Sequence, residues 1–167
     1  MHYGRITTAI GAVLGIIGLG LVSASSAAED MLPDLNAATG GAIPAGFDRV
    51  LISLWDESAA GGAIFLIALA VVLGMSLVPE IKEAMSRMNA LVVTVLGVAM
   101  LAIGAFATTG ALDDADTLEA GLAQATGQAF TVSISFGWYL LAVAGVLAAI
   151  GGVLQLMARP DESALSE

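Results

Sequence analysis

Four stretches of this chain, Ile6–Ser23, Gly61–Val78, Ala90–Thr109 and Phe136–Ala158, contain no aspartate, glutamate, lysine, arginine or histidine. Each approaches or exceeds the roughly 20 residues of helix that cross the hydrocarbon core of a bilayer. The rest of the composition agrees: 58% of the 167 residues are hydrophobic, 12% are charged, and mean hydropathy is +0.93. A water-soluble core of this size cannot hide so much apolar surface. The period-two alternation of a membrane barrel is absent. Glycine recurs through the runs, at Gly11, Gly15, Gly18, Gly74, Gly97, Gly104, Gly145 and Gly151, and membrane helices tolerate it better than soluble ones. The expected fold is all-α: an integral membrane four-helix bundle with short amphipathic helices outside the bilayer. It forms one domain over residues 1–167, with spans at 6–23, 61–78, 90–109 and 136–158.

Charge sets the expected orientation, because lysine and arginine near span ends favour the cytoplasmic side. Arg5 precedes the first run, Lys82 and Arg87 lie between the second and third, and Arg159 follows the fourth; Arg49 alone falls elsewhere. Both termini and the hairpin 79–89 are therefore expected in the cytoplasm. Ten of the fifteen acids fall in the outer loops 24–60 and 110–135. In the hairpin, Pro79 suits a first helical position, Glu83 and Arg87 make an i,i+4 pair, and Ile81, Met85 and Met88 share a helical face. That face is expected to rest on the membrane interface, with docking of a cytoplasmic partner as the alternative.

The first run has two readings. A basic start, an apolar stretch and a small-x-small pattern at Ser25 and Ala27 resemble a cleaved secretory signal. The stretch is longer than such signals usually carry, and Gly11, Gly15 and Gly18 form a small-residue stripe along which helices approach closely. Retention as a span is expected. A second stripe, Ala144, Ala148 and Gly152, and a third, Gly145 with Ala149, run along the last span. Packing within the bundle is expected to use them, with contacts to another subunit or copy as the alternative.

Two segments outside the spans show pattern. Phe47, Val50, Leu51, Leu54 and Trp55 recur at helical spacing, the apolar face of an amphipathic helix that lies in the outer interface or docks on a partner. Asp113, Asp114, Asp116 and Glu119 open an expected short helix that Asp113 or Asp114 caps. Their spacing makes them calcium candidates, although the glycine and bidentate acid of an EF-hand loop are missing. Phe136, Trp138 and Tyr139 are expected to form an aromatic belt at the outer surface.

The spans exclude much chemistry. Pumps and proton-coupled transporters keep ionisable groups inside the membrane, where this chain offers Ser76, Thr94, Gln155 and a few neighbours. Haem subunits need axial ligands, yet the one histidine is His2, and Met75 and Met100 read as packing. No cysteine, nucleophile elbow, zinc-helix motif or phosphate loop occurs. The expectation is a non-enzyme without cofactor or nucleic-acid partner. It would sit in a cell membrane, or in a viral envelope, as a structural or accessory protein with the bilayer and other membrane subunits or further copies as partners. A small oligomeric channel or transporter, whose acidic vestibules concentrate cations, is the alternative. One lysine against four arginines beside so many acids is similar to proteins of extreme halophiles, and the absence of glycosylation acceptors fits a prokaryotic source.

Overall fold

Three serines begin three helices. The side chain of Ser58 accepts a hydrogen bond from the Gly61 N–H at 3.0 Å, Ser86 from Asn89 at 3.2 Å and Ser135 from Gly137 at 3.2 Å. Each satisfies an N–H that a first helical turn leaves without an intrahelical partner. They open α2 (Ala59–Leu77), α3 (Arg87–Thr126) and α4 (Phe136–Met157), and α1 (Tyr3–Ala24) precedes them. The structure, a computed structural model, describes residues 3–24, 37, 40, 58–77, 85–127, 129, 131 and 134–158. Among the described residues there is no strand. All four helices are long and apolar enough to cross a membrane.

Two boundaries depart from the sequence expectation. Helix α1 starts early enough to include Arg5, so an ionisable residue extends the uncharged run expected there. The cause is Gly4, which lies so close to α4 that an added Cβ would sit 2.8 Å from the Gly151 carbonyl oxygen. That contact fixes the first turn and carries Arg5, only 4% exposed, in among the helices.

The larger departure is α3. Its third span and the expected separate helix beginning at Asp113 are one continuous helix of 40 residues, about 60 Å long at 1.5 Å per residue. Gly110 costs a helix only about 1 kcal/mol, and the polar residues around it bond within the helix. Thr109 donates to the Phe106 carbonyl at 2.8 Å, and Thr117 to that of Asp113 at 2.8 Å. Asp113 and Asp114 are interior positions rather than caps. The helix ends at Gly127, in the left-handed conformation (φ 70°), whose N–H donates to the Ala123 carbonyl at 2.9 Å.

Helix α4 packs most extensively, against α1 on one side and α3 on the other, while α2 makes smaller contacts with α1 and α3. Phe65, Val72, Met100, Trp138 and Leu141 are the large side chains of the core they enclose.

Candidate functional site

Among the described residues, glycines approach neighbouring helices closely along two seams, one on each side of α4. On the α1 side, Gly4 lies against Gly151 and Gln155, Gly11 against Ala144 and Ala148, and Gly18 against Gly137 and Leu140. A Cβ at Gly11 would be 2.9 Å from both the Ala144 carbonyl oxygen and Leu147 Cβ, so the two helices meet almost backbone to backbone. Gly15 sits where α1, α2 and α4 converge, facing Leu69 and Ala144. On the α3 side, Gly152 meets Ala90 and Thr94, Gly97 meets Ala149, Gly145 meets Leu101, and Gly104 meets Ala142.

The spacing explains why these residues face one another. Along α3 the seam is Ala90, Thr94, Gly97, Leu101, Gly104 and Thr108, alternating four and three residues; Gly4, Thr8, Gly11, Gly15 and Gly18 do the same along α1. Seven residues for each pair of steps, about 3.5 per step, keeps one edge of a helix facing its neighbour over several turns. Small side chains at all of those positions but Leu101 let the backbones close to van der Waals distance, where dispersion holds helices together without help from water.

The sequence-derived stripes are therefore distributed between two neighbours. Ala144 and Ala148 lie against Gly11 of α1, while Gly152, four residues beyond Ala148, turns towards Thr94 of α3. Gly97 and Gly104 are seven apart, so four-residue spacing does not join them; steps of four and three do, through Leu101.

Buried polar groups gather at the end of the bundle where α1 begins and α2 and α4 finish. Thr8, Ser76 and Gln155 are buried there beside Arg5. Thr8 donates to the Gly4 carbonyl at 2.9 Å and Ser76 to that of Val72 at 2.7 Å, which turns both hydroxyls back on their own helices. Gln155, 2% exposed, accepts a hydrogen bond from the Met85 N–H through Oε1 at 3.1 Å, while its Nε2 is buried without a hydrogen-bond partner. Met85 is thereby drawn under the bundle, whereas Met88 is exposed. The two methionines do not share a face, and Ile81 and Glu83 lie outside the described residues. Towards the opposite end, Thr108 donates to the Gly104 carbonyl at 2.7 Å and to that of Trp138 at 3.1 Å, joining α3 to α4.

The aromatic cluster divides. Phe136 is 67% exposed and Tyr139 is exposed, but Trp138 is 1% exposed and belongs to the core rather than to an outer belt. Successive helical residues turn by about 100°, which puts residue 138 on the side away from both neighbours.

The acidic candidates Asp113, Asp114, Asp116 and Glu119 follow one another around α3. No three metal-ligating side chains among the described residues converge on a point where a cation would bind. Phe47, Val50, Leu51, Leu54 and Trp55 lie outside the described residues. Comparison with protein-family models, with curated proteins and with solved structures finds no match to this chain.

Proposed function

We propose that the chain is a multi-pass integral membrane protein, a four-helix bundle with both termini in the cytoplasm, that serves as a structural or accessory subunit of a larger membrane assembly. The observation that carries this reading is the pair of glycine and alanine seams enclosing α4, an interior given over to close packing. Its buried hydroxyls at Thr8, Ser76 and Thr108 are bonded to backbone carbonyls, so they make no continuous polar path of the kind that ions or protons follow. The apolar outer faces support partners in the membrane: Ile64, Ile67, Val95, Val98 and Phe106 are all exposed. Those partners are the bilayer and other membrane subunits or further copies of the chain. No catalytic, cofactor or nucleic-acid role is proposed.

Purification from its native membrane in mild detergent tests the assembly. The chain should recover with other membrane proteins or as a stable homo-oligomer, and liposomes containing it should show no ion-selective or proton-driven flux. A lone monomer whose flux disappears when Asp113, Asp114 and Asp116 are changed to asparagine would establish a channel instead.

A further inference from the structure

The two ends of the Gln155 amide, buried in the last turn of α4, fare differently. Oε1 accepts from the Met85 N–H at 3.1 Å, and a backbone N–H only donates, so the oxygen faces it and the amide cannot turn over. Nε2 is thereby held on the other side, buried, with two N–H donors and no acceptor from the protein. Burying an amide donor in that state costs free energy that a hydrogen bond recovers.

An acceptor stands beside it. A Cβ added at Gly4 would lie 3.1 Å from Gln155 Nε2 and 2.8 Å from the Gly151 carbonyl oxygen, so donor and acceptor flank one place on α1 where the chain carries no side chain. The two do not bond directly, but groups that close to a common point are within the span of one bridging water. The helical bond from the Gln155 N–H takes one lone pair of that carbonyl and leaves the second.

We infer that one internal water molecule is bound here, accepting from Gln155 Nε2 and donating to the Gly151 carbonyl oxygen. Buried waters satisfy polar groups in this way, typically through roughly two to four hydrogen bonds. Gly4 keeps the place clear, and with the Met85 bond the water makes Gln155 a joint between the start of α1, the end of α4 and the residues entering α3. The inference needs only that the amide is buried, and it stands apart from the membrane reading.

Nuclear magnetic resonance of the full isotope-labelled chain in detergent micelles tests this. The side-chain amide protons of Gln155, assigned by their loss in Gln155→Met, should show cross-peaks to water. Those peaks should be opposite in sign between nuclear Overhauser and rotating-frame spectra, the mark of a long-lived neighbour rather than of proton exchange. Thr8→Val, which removes the hydroxyl lying against Gly151 and with it any relay through that proton, should keep them. Gly4→Ala should abolish them; should that variant fail to fold, the unaltered protein and Thr8→Val decide the matter. Absence of the cross-peaks, their loss in Thr8→Val, their persistence in folded Gly4→Ala, or a scalar coupling showing a direct bond from Nε2 to a carbonyl would each overturn the inference.

Discussion

One methyl group separates the glycines of this chain into two kinds. A Cβ at Gly145 would press on the backbone of Leu101, and one at Gly97 on that of Ala149; main chain cannot swing aside as a side chain can. Gly145→Ala and Gly97→Ala should each destabilise the bundle by roughly 1–3 kcal/mol, the usual cost of overpacking. Gly74 and Gly121, own-helix backbone aside, have no heavy atom of the described residues within 4 Å of the same position. Alanine there should leave stability unchanged or raise it by up to about 1 kcal/mol through helix propensity. Thermal melting of the four variants in detergent checks the contrast, and equal losses at Gly74 and Gly145 would show that the seams are wrongly placed. Sequence spacing brought out Gly11, Gly15 and Gly18, but it could not name what each one touches. A stripe shows that a helix has a smooth edge, and only the fold shows which neighbour closes on it.

Helix α3 illustrates what hydropathy does and does not report. Apolarity falls after Thr109 because the side chains become acidic, whereas backbone hydrogen bonding continues to Thr126. An uncharged run reports the length that hydrocarbon could cover, whereas the helix end is set by backbone hydrogen bonding, and these are separate quantities. Ala111 and Ala115 continue the four-and-three spacing of the seam past Thr108 and are buried, a legible sign of continuity. Trp138 was misplaced for a related reason, since a cluster in sequence spreads around a helix. Spin labels on Ser86→Cys and Gln124→Cys should report a single separation of about 57 Å, 38 residues at 1.5 Å each. A broad or much shorter distribution would mean a break near Gly110. Because the four acids of this stretch do not converge, millimolar calcium should leave the melting temperature where it was; a saturable rise abolished by Asp113→Asn would restore the calcium reading.

For the molecule as a whole, the length of α3 puts Ser86 and Gln124 at opposite ends, both exposed. A membrane-impermeant thiol reagent applied to intact cells should label Gln124→Cys and spare Ser86→Cys, and the reverse pattern would invert the proposed topology. The four spans were legible because uncharged length is a direct physical requirement of the bilayer. The order of packing was not, since nothing in hydropathy distinguishes the lightly held α2 from α4 between its two seams. That order has a consequence in time. Chains are made from the amino terminus, so α1, α2 and α3 are made before the helix that joins α1 to α3. Until Phe136–Met157 is made, Gly11, Gly97 and Gly104 have no α4 backbone to close on, and α2 bridges α1 and α3 through its smaller contacts with both. A chain whose synthesis halts before residue 136 lacks the helix whose backbone closes both seams.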